Sequence, residues 1–297
     1  MEIWLKLESL QPIGSFKVRP AFNAIAEAGV AATASGVCTA SAGNFGQGLA
    51  WCCQELGVQC FVVAPDQAPE TKLAAMRGYG ATVVTVPYAE WWQILETRAC
   101  PQAPAGAVFI HPGCENAVLA GNATVAAEIL DELPDVDAIV APYGSGALCV
   151  GIACGVRELA PPGSRCRVVA VEPDTAAPFA LSMREGKPCQ FEAWEPSFVD
   201  GCGGKAVLGE MWCLAQAHCP HLEGVAVPLE AIADSIRALA SRNRVIAEGA
   251  GACPVAAARA GLCGGGKVVC VVSGGGIDTE ALCAALRGKV PPAKGEH

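Results

Sequence analysis

Three short segments carry residue types that can do chemistry. In Gly14-Ser15-Phe16-Lys17-Val18-Arg19 a lysine follows a turn of small residues and stands ahead of a helix-forming run. An amine so placed attacks a carbonyl carbon once its pKa falls and the carbonyl can reach it, although a surface lysine opening a helix gives the same pattern. In Ser41-Ala42-Gly43-Asn44-Phe45-Gly46-Gln47-Gly48, Ser41 or Asn44 can cap the next helix while small residues bare backbone N–H groups. Such a turn either receives a carboxylate or simply joins a strand to a helix. In Gly144-Ser145-Gly146-Ala147-Leu148 the side chains are small enough for a phosphate dianion to approach successive N–H groups at a helix start; the alternative is a tight strand-to-helix turn. No GxGxxG pattern and no Walker lysine competes with the phosphate reading.

These segments need elements to hold them. Strands are predicted at Ile3–Leu7, Gly36–Thr39, Gln59–Val63, Thr82–Val86, Ala138–Ala141, Arg167–Val171 and Val268–Val272. Several are continuous apolar runs, as expected of parallel strands buried on both faces. Helices are predicted between them, at Pro20–Ala28, Asn44–Leu56, Glu70–Tyr79, Ala117–Leu130, Cys149–Glu158, Leu229–Arg244 and Thr279–Leu286. The alternation predicts an α/β fold with helices on both faces of the sheets. Two strands, ending at Ala141 and Val272, run straight into glycine-rich turns, and the carboxyl ends of strands are where open α/β sheets bind ligands.

Composition narrows the function classes. The 297 residues are 52% hydrophobic and 16% charged, which describes a core-rich folded protein long enough for two domains. A net charge of −9 argues against nucleic acid or an anionic membrane as partner, and a small anionic substrate then needs a local nest of donors. Seventeen cysteines occur without a CxxC spacing, many in apolar runs, so they are expected as buried small hydrophobes in a reducing cytoplasm. His218 and His221 have no thiolates at zinc spacing. The start, MEIWLKLES, lacks the basic segment and apolar run of a secretion signal, and a cytoplasmic protein is expected.

Taken together, the SFKxR lysine segment, SAGNxxQ, the glycine-rich loop, EGAGA (Glu248–Ala252) and SGGG (Ser273–Gly276) stand in an order that resembles the type II pyridoxal-phosphate enzymes. The threonine/serine dehydratases are most similar, with the serine racemases related. The resemblance implies two open, twisted, mostly parallel sheets flanked by helices, with the cofactor in the interdomain cleft. Residues 1–38 and 116–297 would form the large cofactor-binding domain and 39–115 a small inserted α/β domain. It implies that Lys17 holds pyridoxal 5′-phosphate as a Schiff base and later acts as base at the substrate Cα. Asn44 would bond the cofactor's 3′-oxygen, and Gly144, Ser145, Gly146 and Ala147 would cradle its phosphate. Ser273 would face the pyridine nitrogen, with Phe16, Leu148, Glu248 and Gly274 completing the surroundings. Ser41, Ala42, Gly43, Asn44, Phe45 and His111 would line the substrate side. The implied reaction removes the β-hydroxyl of an amino acid such as threonine or serine as water and yields a 2-oxo acid and ammonia. A homodimer with a small amino-acid substrate is the expected working form.

Several positions depart from the family pattern. Position 42 is alanine where the racemases place a serine as acid/base on the face opposite the lysine, which argues for elimination over racemisation. Phe45 stands where histidine is usual, and Gly113-Cys114 follow His111-Pro112 where an aromatic and an acid are common. These changes allow a larger β-substituent; the alternative reading is a β-replacement enzyme or racemase of the same fold. The segment Glu172–Pro178 resembles the family's cation site. Glu172 and the Ala176 carbonyl would be ligands for a divalent or monovalent ion, and Pro178 occupies the place of the last side-chain ligand.

Overall fold

Every strand that enters a sheet in the computed structural model pairs in parallel, because each strand is followed by helix that carries the chain back along the sheet. The structure describes residues 1–293. The strands are β1 (Glu2–Lys6), β2 (Val37–Ala40), β3 (Cys60–Pro65), β4 (Thr82–Val86) and β5 (Val108–Phe109), then β6 (Ala138–Pro142), β7 (Arg167–Pro173), β8 (Glu223–Val227) and β9 (Lys267–Val271). The helices of the first half are α1 (Val18–Ala32), α2 (Asn44–Leu56), α3 (Glu70–Gly78), α4 (Tyr88–Thr97) and α5 (Asn116–Glu132). Those of the second are α6 (Ala147–Leu159), α7 (Pro178–Glu185), α8 (Gly209–His218), α9 (Leu229–Ala238), α10 (Gly249–Arg259) and α11 (Thr279–Leu286).

One compact unit joins Met1–Gly14 to the chain from Asn122 onward and contains the five-stranded sheet β1-β9-β6-β7-β8. Strands β6 and β9 sit at its middle, so AIVAP and most of KVVCV are buried on both faces. That burial explains why they read as unbroken apolar runs. Helix α10 closes one face of this core with Ala252, Cys253, Ala256 and Ala257, all but inaccessible. It is apolar all round, so it has no helical period to betray it, and it went unrecognised in the sequence. Strand β8 escaped notice for a related reason. Gly224 breaks its apolar run, and a Cβ there would lie 3.0 Å from the Ala180 Cα of α7.

The other unit, Ser15–Gly121, holds the four-stranded sheet β4-β3-β2-β5. The sequence division ran at 38/39 and 115/116, whereas the compact units change at 14/15 and 121/122. The reason is close backbone packing around α1. A Cβ at Gly48 of α2 would lie 2.9 Å from the Lys17 carbonyl, and one at Gly121 of α5 would lie 2.6 Å from the Arg19 carbonyl. Two glycines thus seat α2 on the Lys17 backbone and α5 on the first turn of α1.

Other differences are local. The expected helix Leu229–Arg244 ends as α-helix at Ala238, continues as a π turn over Leu239–Asn243, and stops at Arg244, which takes a left-handed conformation at φ 61°. Helices α4, α7 and α8 and the two-residue β5 were also not anticipated. Among the described residues no helix is long and apolar enough to cross a membrane.

Candidate active site

In the unit Ser15–Gly121, Lys17 stands at the N-cap position of α1 and is half-buried. Its Nζ lies 4.8 Å from the centroid of the Phe16 ring and 5.6 Å from that of Phe45. Both rings are buried. The amine therefore lies within cation–π reach of two aromatic rings. This places Phe45, the residue that replaces the usual histidine, against the amine itself.

The Ser41–Phe45 turn follows β2. Ser41 is buried, and its Oγ accepts from the N–H of Gly43 at 3.3 Å and of Gly46 at 3.1 Å. Of the two capping options in the sequence, Ser41 therefore holds the start of α2, while Asn44 is the helix's first residue behind the N-cap Gly43. Ala42, Gly43 and Asn44 remain partly exposed at that positive helix end. The methyl group of Ala42 in this turn has no proton to offer.

His111 acts on its own loop. Its Nδ1 accepts from the N–H of Gly113 at 3.0 Å and of Cys114 at 2.8 Å, so the ring proton sits on Nε2 when the imidazole is neutral. The Glu115 carboxylate accepts from the His111 N–H at 2.8 Å, and Arg98 donates to the Cys114 carbonyl at 3.0 Å. These bonds fix the His111–Glu115 loop from three sides. Arg98, with a left-handed φ of 57°, carries no motif in the sequence that would have revealed this role.

The second set lies in the other unit. Gly144 and Ser145 are partly exposed after the buried strand β6, and Gly146, Ala147 and Leu148 lead into α6. Gly146 is the N-cap at φ 94°, a conformation L side chains rarely adopt, and no side chain caps the helix. A Cβ at Gly144 would lie 2.4 Å from the Gly201 carbonyl, and one at Gly146 would lie 2.6 Å from Met211 Cγ. At Gly144 and Gly146 the loop thus has no room for a side chain, and it presents first-turn amides at the positive end of a helix, the arrangement that suits phosphate. Tyr143 stacks on Phe179 behind it, with centroids 4.1 Å apart.

Gly201 was not singled out in the sequence, although the run Gly201-Cys202-Gly203-Gly204 was a usable signal. It backs Gly144 on one side, and a Cβ on it would lie 3.7 Å from Glu248 Oε1 on the other. Glu248 is buried and is the N-cap of α10; its N–H donates to the Gly274 carbonyl at 3.0 Å. Ser273 follows β9 and is 2% exposed. Gly251 of α10 makes room for this strand end, since a Cβ there would lie 2.6 Å from the Gly274 oxygen. EGAGA and SGGG are therefore one packed structure.

The Glu172 carboxylate, a ligand in the cation site that the resemblance implies, is tied to the amides that open α7. Its oxygens accept from the N–H groups of Phe179 at 3.1 Å and Ala180 at 2.9 Å, at the start of α7. Burial pushes its carboxyl up to about 8, and those two amides only partly offset the shift. Ala176 is buried beneath Gly203. Among the described residues no group of three or more His, Cys, Asp or Glu gathers to hold a metal. By their chemistry an amine beside aromatic rings, the uncapped helix start at Gly146 and a buried serine after a strand each suit pyridoxal phosphate.

The family described as "Pyridoxal-phosphate dependent enzyme" matches residues 1–274. The L-threonine ammonia-lyase of Thermotoga maritima is 36% identical over 282 residues, covering 95% of this chain and 69% of that protein. The catabolic L-threonine dehydratase TdcB of Escherichia coli is 33% identical over 291 residues, covering 95% and 84%. Among solved structures, the processed form of threonine deaminase isoform 2 from Solanum lycopersicum superposes with a TM-score of 0.83 at 27% identity, over 96% of this chain and 78% of that one. The serine racemase of Dictyostelium discoideum gives 0.79 at 29%, over 93% and 88%.

Proposed function

Since the chain belongs to the pyridoxal-phosphate dependent enzyme family, we propose that it is an ammonia-lyase that converts threonine or serine to the 2-oxo acid, ammonia and, transiently, water. The observation that carries this reading is Lys17, its Nζ flanked by Phe16 and Phe45 in a chain 36% identical to a threonine ammonia-lyase. Pyridoxal phosphate, when bound, supplies an electron sink for the pair released at the substrate Cα.

The chain's own residues do the rest. Lys17 Nζ is the amine that would hold the cofactor and, once free, would take the proton from the substrate Cα. The Gly144–Ala147 loop and the first turn of α6 hold the phosphate, with Gly201 and Met211 keeping the loop in shape. The Ser41–Asn44 turn orients the substrate carboxylate, which fixes the Cα–H bond relative to Lys17, and Asn44 also steadies the ring oxygen. Ser273 would offer the ring nitrogen a neutral hydroxyl. A neutral partner would leave that nitrogen less protonated and so would favour expulsion of the β-hydroxyl. Ala42 has no proton to deliver to the face opposite Lys17, which sets racemisation aside.

A cytoplasmic workplace and a homodimer belong to the same proposal. The free thiols support the first. The exposed Ile3 and Trp4 on edge strand β1 support the second, and light scattering should return twice the 30.3 kDa chain mass. The reaction is tested by 2-oxo acid release from threonine, serine, 3-hydroxyaspartate and phenylserine. Cofactor loading is read at about 410 nm, and Lys17→Ala should abolish both signals. A loaded protein that releases no oxo acid from any of the four would transfer the assignment to β-replacement.

A further inference from the structure

The thiols of Cys154, on α6, and Cys219, at the C-terminal cap of α8, lie 3.6 Å apart although 65 positions separate them in sequence. We propose that this pair is a reversible redox site, oxidised to a Cys154–Cys219 disulfide by a low-molecular-mass disulfide and reopened by a small thiol. Closing the bond requires the sulfurs to approach to about 2 Å, a displacement within reach of side-chain rotation and small helix shifts.

The two thiols are unequal in a way that assigns their roles. Cys154 is partly exposed and Cys219 is buried. The hydrogen bond shared with Cys219, helped by the charge of Arg157 one turn along α6, brings the Cys154 thiol down to about 7 against burial and Glu158. The same contact and burial hold the Cys219 thiol up. Arg157 is fixed there, since its Nη1 donates to the His218 carbonyl at 2.9 Å and its Nη2 pairs with Glu158 at 2.7 Å. Cys154 is thus the attacking sulfur and Cys219 the resolving one.

The exchange balances without another reagent. The Cys154 thiolate attacks one sulfur of RSSR, forms a mixed disulfide and expels RS⁻. Cys219 then gives its proton to solvent and attacks Cys154 Sγ, and the second RS⁻ leaves. One RSSR is reduced to two RSH while two protein thiols are oxidised, and the two protein protons end on the released thiolates. The bond would tie the far end of α8 to α6, the helix that starts at the phosphate loop, where Met211 of α8 already backs Gly146. A second close pair, Cys202 and Cys253 at 3.8 Å, provides an internal control, because both thiols are buried and neither is open to a reagent of this size.

The test uses the holoenzyme. After incubation with oxidised glutathione and an acid quench, the unfolded protein is alkylated, digested and mapped by mass spectrometry. A Cys154–Cys219 linked peptide is expected, with Cys202 and Cys253 alkylated, and dithiothreitol should remove the link. With Cys154→Ser, Cys219 should be recovered fully alkylated. Alkylation of both Cys154 and Cys219 in the oxidised wild type, or glutathione retained on Cys154 with Cys219 alkylated, would overturn the proposal.

Discussion

At the scale of single residues, the site depends on atoms that are absent as much as on those present. Gly144 faces a carbonyl oxygen where a methyl group would sit at 2.4 Å, so Gly144→Ala must move the phosphate loop or the Gly201 segment. Such overpacking costs about 1–3 kcal/mol. The variant should unfold at lower urea and retain less cofactor by its absorbance. His111 makes the opposite kind of case, where one atom satisfies two donors. His111→Ala leaves the Gly113 and Cys114 amides without that acceptor, at a cost of about 1–3 kcal/mol in chemical denaturation. His111→Asn offers a carbonyl oxygen in its place and should recover part of the loss. The lysine, the serine cap and the glycine loop were legible as residue types, because their chemistry is local. Arg98 and Gly201 were not, because what they hold is distant in sequence.

At the scale of elements, the notable device is the seating of one element on the backbone of another. Helix α2 reaches the Lys17 turn through Gly48, so Gly48→Ala should shift the amine while leaving the sheet intact. A misplacement near 1 Å costs about 100-fold in kcat, and that is the expected loss, measured as oxo acid release. Gly57 at the other end of α2 is the comparison. It is left-handed with open space around it, so Gly57→Ala should cost about 1–2 kcal/mol of stability and leave kcat unchanged. Element reading succeeded where burial left a pattern: Asn44–Leu56, Thr82–Val86 and Thr279–Leu286 were placed to the residue. It failed at α10, buried on all sides, and at β8, where Gly224 trades an apolar side chain for close contact with α7.

At the scale of the whole molecule, cofactor binding and folding are linked. A ligand that binds only the folded chain stabilises it by about 2.7 kcal/mol at a concentration 100 times its Kd. Removing pyridoxal phosphate should therefore lower the thermal midpoint by about 5 °C in a scanning experiment. Adding it back should restore the midpoint in the wild type and far less in Lys17→Ala. A midpoint indifferent to the cofactor would contradict the assignment of both the lysine and the phosphate loop.

The sequence by itself determined the α/β class and the order of the chemical motifs. These follow from local chemistry and from the apolar runs that parallel strands require. Tertiary structure alone decided that Phe45 stands over the lysine amine and that Ser41 rather than Asn44 holds the helix start. It also turned Glu172 toward the amides of α7 and brought Cys154 to Cys219. Each of these joins residues through space, and spacing along a chain carries no record of which side chain a folded neighbour will meet.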